Sequence, residues 1–387
     1  TALAVPVEGE RTQIIDPLGG MAALERKVVR RCSPESIASD PVRGLRAIRA
    51  SVDFGLRIEP ETLADVRARA PRLADTSPER VRDEFLNMLG SAKPGAALDV
   101  AARVGLLSPI IPELDPLAEI TQTAPHQYDV WRHTLQAVER LDTLLRIFGV
   151  QRATRDANNL GFGTVALALG HLRPQLADHL RATWANERPH RTLLLLAALL
   201  HDTGKAETFT VDDQARVHFY GHEKVSRSIA SSVGARLRLS RDEIARLAKV
   251  TGHHMRPHWL ANAEQLSARA IYRFWRDTGP AGVDVCLLAM ADYLATVGPT
   301  LDQQAWVAYV ETVQTLLNSY FLEYERAIAP PSLLDGHDVM RSFHLKGGPE
   351  IGAILEALRE AQVSGEVSTQ EDALAWVRRH LDDASRN

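Results

Sequence analysis

The stretch Leu193-Leu194-Leu195-Leu196-Ala197-Ala198-Leu199-Leu200 runs straight into His201-Asp202-Thr203-Gly204-Lys205. A helix that is apolar all round is a buried helix, and burying an imidazole beside a carboxylate at its end is costly unless the two are paired or bound to a metal. Residues of the same chemistry stand on either side: His133 in Val130-Trp131-Arg132-His133-Thr134-Leu135, His222 in Tyr220-Gly221-His222-Glu223, His254 in Gly252-His253-His254-Met255, and Asp292 in Met290-Ala291-Asp292-Tyr293. Cys32 and Cys286 are the only cysteines, too few for a disulfide framework or a thiolate cage, which points to a reducing compartment. Any metal must therefore use nitrogen and oxygen ligands, a set that suits Mg, Mn, Ni, Fe or Zn. Such an ion polarises a phosphoryl oxygen and lowers the pKa of bound water, supplying hydroxide at neutral pH. Lys205, one helical turn past His201-Asp202, is placed to offset phosphate charge. Any one of these histidines alone is more often an ordinary core or surface side chain; the ordered set carries the argument.

That order, His, then His-Asp with Gly-Lys following, then His, His and Asp, resembles the HD metal-dependent phosphohydrolase superfamily. The resemblance implies His133, His201, Asp202 and Asp292 as core ligands, with His222 and His254 as a second tier suited to a second ion. Asp202 and Lys205 are the expected catalytic pair. Between His253 and His254 the second is chosen by matching His-Met-Arg-Pro. His126, His218, His253 and His258 are read as ordinary, although His126 precedes the first ligand closely enough to support it from behind.

A second chemical signal lies upstream in Asp40-Pro41-Val42-Arg43-Gly44-Leu45-Arg46-Ala47-Ile48-Arg49. Arg43, Arg46 and Arg49 are three apart and form a drifting stripe on one helix face, while Leu45 and Ile48 point elsewhere. The plain reading is a solvated basic face. The sharper one is that a fixed Asp and Arg, one acceptor and one forked donor, read the edge of a base while further arginines hold triphosphate or RNA phosphates.

Around this helix, Ile14-Ile15-Asp16-Pro17-Leu18-Gly19-Gly20, Ser77-Pro78-Glu79-Arg80-Val81-Arg82-Asp83-Glu84-Phe85, Gly105-Leu106-Leu107 and Ile111-Pro112-Glu113-Leu114 follow in the order seen in the neck and body of class II tRNA nucleotidyltransferases (CCA-adding enzymes) and bacterial poly(A) polymerases. The chain resembles that family across almost its whole length, including a tail like Leu333-Leu334-Asp335-Gly336-His337-Asp338. The resemblance implies that Asp40 and Arg43 form an amino-acid template for ATP and CTP. It implies that Arg46 and Arg49 support phosphate or the same pocket, and that Glu79 and Arg80 brace the nucleotide-binding helix. Ala50 departs from the aromatic residue usual at that position.

The family's catalytic head, with its Gly-Gly turn, metal-binding aspartates and Arg-Arg-Asp motif, precedes the Asp-Pro-x-Gly-Gly segment. Thr1-Ala2-Leu3-Ala4-Val5 looks like the residues just after it. These residues are thus expected to bind tRNA, ATP and CTP and to act on nucleotide phosphoesters at the HD site, without polymerising by themselves. Two other readings stay open. One is a stand-alone HD phosphohydrolase acting on nucleotides or 2′,3′-cyclic phosphates, with the arginine helix as scaffold. The other is a non-catalytic tRNA-binding partner of a separately encoded head.

The elements that must position these groups are helical. Ser77-Pro78-Glu79 predicts a helix start with a cap, a proline at the first position and an acid in the first turn. Ser240-Arg241-Asp242-Glu243 has the capping-box pattern. Ala2 to Val7 and Arg11 to Ile15 around Glu8-Gly9-Glu10 read as a hairpin with no sheet of its own. The expected fold is all-α, a multi-domain helical array with a small β-hairpin remnant. Its segments are 1–20 (end of the head), 21–120 (neck and body), 121–300 (HD domain) and 301–387 (helical tail, tRNA-binding). A length of 387 residues accommodates roughly two or three domains at ~150 residues each. With 45% hydrophobic and 24% charged residues, the composition argues against disorder and fibrous repeats. The longest apolar run, Leu193–Leu200, is well short of the ~18 residues of a membrane span. A cytoplasmic protein is expected, with no membrane partner. The net charge of −4 removes the simplest argument for nucleic acid, a strongly basic chain, and leaves local patches as the alternative.

Overall fold

The computed structural model describes residue 3 and residues 14–149 and 160–384. The expected hairpin, apart from Leu3, Ile14 and Ile15, lies outside the described residues. The fold is all-α. The helices that carry or brace the motifs are, in chain order, α1 (Val42–Phe54), α2 (Pro78–Leu89), α3 (Pro94–Arg103), α4 (Val130–Phe148), α5 (His190–Leu200), α6 (His222–Arg236), α7 (Arg241–His253) and α8 (Ala281–Val297). Among the described residues the named strands are two-residue pieces. β1 (Val28–Val29) pairs in parallel with β2 (Arg57–Ile58), and β3 (Thr210–Val211) pairs antiparallel with β4 (Val217–His218).

The chain forms two compact units. The first comprises the described residues among 1–159, with 176–254 and 287–301. Its centre is α5, whose Leu194 to Leu200 are all essentially buried, so no face is left for solvent and every side must be covered by another helix. α4, α7 and α2 supply that cover, and α3 packs on α4. The helices of segment 21–120 therefore share a core with those that follow it. Polar ties reinforce the packing. Asp142 of α4, itself buried, accepts from Arg146 on its own helix at 2.8 Å and pairs with Arg191 of α5.

Helix ends follow the sequence signals unevenly. Ser240 accepts from the Glu243 backbone N–H at 3.3 Å while Glu243 Oε2 accepts from the Ser240 N–H at 2.8 Å, completing the capping box. Pro78 opens α2 as expected, but the Ser77 side chain does not cap it. Its hydroxyl is turned toward Glu79, donating to Oε2 at 2.7 Å, and accepts from no backbone N–H of the first turn.

The second unit comprises 160–175, 255–286 and the described residues from 302. The helix Gln303–Phe321 packs against Leu160–Ala168, with Trp306 donating from Nε1 to the Gly161 carbonyl at 3.0 Å. The helix Ala268–Thr278 lies on Pro349–Val363, where Tyr272 donates to Glu356 at 2.9 Å. A smaller core around Leu334, Val339, Ile354, Leu358 and Val377 closes the C-terminal helices. The stretch Ala281–Thr300 is long and apolar enough to cross a membrane, and 78% of its most apolar window is buried in the fold.

Candidate metal centre and nucleotide-facing helix

His201 and Asp202 stand where α5 ends, His133 one turn into α4, His222 at the first position of α6, His254 just past α7 and Asp292 within α8. All six belong to the first unit, and all are buried. Bringing α6 against the His201–Lys205 turn depends on Gly204. A Cβ there would lie 2.3 Å from the His222 carbonyl oxygen and 2.7 Å from the Ser226 backbone nitrogen, and the Gly204 N–H donates to Ser226 Oγ at 2.9 Å. The glycine of His-Asp-Thr-Gly-Lys is thus what lets the helix carrying His222 approach.

The donor atoms converge. Asp202 Oδ2 is 3.4 Å from His133 Nε2 and 3.3 Å from His201 Nε2, and Asp202 Oδ1 is 3.3 Å from His222 Nε2 and 3.8 Å from His254 Nε2. Asp292 Oδ1 is 2.9 Å from His133 Nε2 and 3.6 Å from His201 Nε2. Three overlapping triads result: His133, His201 and Asp202; His201, His254 and Asp292; Asp202, His222 and His254. Within each, the ligand atoms lie within 4.8 Å of one another.

Outside the cluster, three of the rings are anchored through their far nitrogens. His201 Nδ1 bonds the Ala198 carbonyl at 2.7 Å, His222 Nδ1 that of Phe219 at 2.9 Å, and His254 Nδ1 that of Thr251 at 2.7 Å. A ring that donates from Nδ1 turns an Nε2 lone pair inward, the arrangement a metal ligand needs. Inside, His133 Nε2, His201 Nε2 and Asp202 Oδ2 are buried without an aligned hydrogen bond. Close, convergent nitrogen and oxygen donors fit a divalent cation.

The electrostatics agree. Burial opposes charge on His201, yet Asp202 and Asp292 outweigh it and push the imidazole up to about 10, which reflects how strongly the two carboxylates favour positive charge at this point, the charge a bound cation would supply in the proton's place. Burial likewise opposes charge on Asp202, and His201 and Lys205 outweigh it, keeping the carboxyl well below its usual range. His254 is pushed down to about 3 by burial and by its neighbours His201 and His222, which leaves it neutral and able to ligate.

Lys205 Nζ reaches Asp202 Oδ2 at 2.7 Å and donates to Gln122 Oε1 at 2.8 Å, so it is held from two sides. Gln122 carries no motif that would have marked it. His126 stands edge-on to His133 with ring centroids 5.4 Å apart, and burial, Lys205 and His133 push it down to about 4. Of the adjacent pair it is His254, not His253, whose Nε2 meets His222 Nε2, at 3.3 Å. His218 pairs instead with Asp212 at 2.9 Å.

Asp40 and the three arginines form a second group in the same unit. Asp40 Oδ2 is held by Arg80 Nη2 at 2.7 Å and by Arg43 Nε at 3.4 Å, while Asp40 Oδ1 is buried without a hydrogen-bond partner. Arg46 Nε and Arg49 Nε both reach the carboxylate of Glu84, at 3.3 and 2.9 Å, and Arg49 also approaches Asp53 at 3.8 Å. Glu84, buried on α2, is the brace that motif reading passed over.

Comparison with known proteins places these groups in context. Residues 55–117 match the family model described as the probable RNA and SrmB-binding site of polymerase A, and residues 164–297 match the HD domain model. His133, one of the six residues of the cluster, precedes the second match. The A-adding tRNA nucleotidyltransferase of Deinococcus radiodurans is 32% identical over 383 residues, covering 97% of this chain and 76% of that protein. The CC-adding tRNA nucleotidyltransferase of Thermus thermophilus is 29% identical over 363 residues, covering 92% and 70%. Among solved structures, the Bacillus stearothermophilus CCA-adding enzyme in complex with CTP aligns with a TM-score of 0.54 at 18% identity, over 97% of this chain and 70% of that one. An apo CCA-adding enzyme structure aligns with a TM-score of 0.52 at 16% identity, over 95% of this chain and 65% of that one, a likeness of fold. With two motif groups in one unit and a relative that matches nearly all of these residues, the chain belongs to the tRNA nucleotidyltransferase family and carries an HD domain.

Proposed function

We propose that the chain serves the addition of C and A to tRNA 3′ ends, binding tRNA together with ATP and CTP, with Asp40 and Arg43 reading the incoming base. The observation that supports this is the half-satisfied Asp40: one oxygen is gripped by Arg80 and Arg43, the other is buried without a hydrogen-bond partner, and Arg43 is half exposed beside it. Cytosine and adenine each present an amino donor next to a ring-nitrogen acceptor, and an aspartate beside an arginine complements both. Uracil and guanine present an oxygen acceptor next to an N–H, which sets acceptor against acceptor. Arg46 and Arg49, held in place by Glu84, are assigned to phosphate. In this reading addition of nucleotides by these 387 residues alone is not expected, and the setting is the cytoplasm. Equilibrium titration with the four nucleoside triphosphates tests it: CTP and ATP should bind at least about tenfold more tightly than UTP and GTP, a ratio that one mismatched pair of hydrogen bonds supplies. Equal affinities would overturn the template role.

We further propose that the cluster around Asp202 is a phosphohydrolase site. His133, His201, Asp202 and Asp292 would hold the cation, with His222 and His254 completing a second position. A divalent ion bound there supplies Lewis-acid polarisation and a low-pKa water. The chain's own contribution is orientation: the Ala198, Phe219 and Thr251 carbonyls fix three rings, and Lys205, tied to Gln122, presents positive charge to phosphate oxygens. Nucleotide phosphoesters, including 2′,3′-cyclic phosphates at RNA ends, are the proposed substrates.

A further inference from the structure

The two ligand-bearing segments, His201–Lys205 and His222, are joined by the β3–β4 hairpin, so the base of that hairpin lies at the cluster by connectivity. It is aromatic. Phe219, whose carbonyl anchors His222 at 2.9 Å, places its ring 5.2 Å from Lys205 Nζ. Phe209, directly after the short helix that begins at Lys205, lies with its ring 6.0 Å from that of Phe219 and is 44% exposed. From Asp202 outward the sequence of groups is carboxylate, ammonium, ring, exposed ring. The hairpin is also stiff. Asp212 accepts from the Gln214 and Arg216 backbone N–H groups at 2.9 Å each and from the Arg216 side chain at 2.8 Å, pinning the turn. A large apolar ring left half in water beside a charged, buried centre has a use if a flat, apolar face covers it when substrate arrives.

We propose that Phe209, backed by Phe219, is a stacking shelf for the nucleobase of the phosphoester held at the Asp202–Lys205 cluster. The shelf makes the site select esters that carry a base. This rests on the phosphohydrolase reading above. Stacking tolerates any base, because every base has a π face, so the shelf confers preference for nucleotides as a class and not for one nucleotide. In this arrangement the ammonium takes the phosphate and the outer ring the base. The reaction is hydrolysis: water oxygen bonds to phosphorus, one ribose oxygen–phosphorus bond breaks, and the released oxygen takes up a proton.

The test compares adenosine 2′,3′-cyclic phosphate with glycerol 1,2-cyclic phosphate, the same strained ester without a base, on the full chain with Mn or Ni supplied. The expected result is a KM about tenfold lower for the adenosine ester, a ratio that falls toward one in Phe209→Ala and is retained in Phe209→Trp. Phe209→Leu keeps volume without a π face and should behave as the alanine variant, which separates stacking from packing. Hydrolysis of both esters with equal KM, or a ratio untouched by Phe209→Ala and Phe209→Leu, overturns the shelf and leaves the hydrolase standing. Hydrolysis of neither ester by the unaltered chain overturns the hydrolase and the shelf together.

Discussion

Asp202 is the residue on which the cluster turns, because its two oxygens face four imidazoles and an ammonium. Asp202→Asn keeps the shape and removes the charge, so metal bound per chain should fall from near one or two equivalents to well below one, with hydrolysis abolished in parallel. Metal analysis of the purified variant, run beside the unaltered chain, checks this; full metal content in Asp202→Asn would remove the residue from the ligand set. Residue types and order made this group legible in the sequence, because burying His-Asp at the end of an apolar helix demands compensation. Gln122 and Glu84 were illegible for a different reason. A glutamine that steadies a lysine 83 positions away, or a glutamate that grips arginines on another helix, has no local signature; only tertiary contact gives it meaning.

At the scale of elements, two contacts decide whether the ligands meet. Gly204→Ala would set a methyl against the His222 carbonyl and the α6 backbone, neither of which is a flexible end that can swing away. The expected cost is about 2–3 kcal/mol, in the range of overpacked interiors, with metal affinity falling as His222 is displaced; urea unfolding and metal titration read the two effects separately. The capping box at α7 adds a pH dependence. Burial raises the Glu243 pKa, and Arg188, bonded at 2.5 and 2.6 Å, together with Ser240 outweighs this and leaves it below 4.5. A depressed carboxyl contributes stability that is fully present above its unfolded value and fades as pH falls through the folded one. The melting temperature of Glu243→Gln should therefore lie below that of the unaltered chain near pH 6–7, and the gap should narrow as pH drops beneath about 4.5. A constant gap would place the effect of the substitution in packing. The capping box was written in four consecutive residues, whereas the Ser77 cap was not realised, its hydroxyl being oriented toward the Glu79 carboxylate instead of the backbone N–H groups.

For the whole molecule, the proposed RNA partner has to be sought in local charge, not in net charge. A chain at −4 still holds Arg43, Arg46 and Arg49 on one helix face, each paired with an acid: Asp40 beside the first, and Glu84 shared by the other two. Pairing lowers the far field without removing the local donors, and the paired acids fix guanidinium groups that would otherwise lose more entropy on binding phosphate. Sequence order also concealed how the chain is shared between its two units, because residues 160–175 and 255–286 belong with the C-terminal helices and their neighbours in sequence do not. Such an exchange depends on which apolar faces meet, and no local pattern records it. If the arginine face meets phosphate, its contribution must appear in the salt dependence of binding, since each neutralised phosphate releases condensed counterions. The slope of log affinity for tRNA against log salt should become shallower by about 0.7–0.9 for each phosphate that Arg46→Ala or Arg49→Ala leaves without a cation, with affinity at low salt falling most. Arg46 is the more exposed of the two and should give the larger change. Fluorescence anisotropy across a salt series measures it, and slopes identical to that of the unaltered chain would return these arginines to the role of ion-pair partners for Glu84.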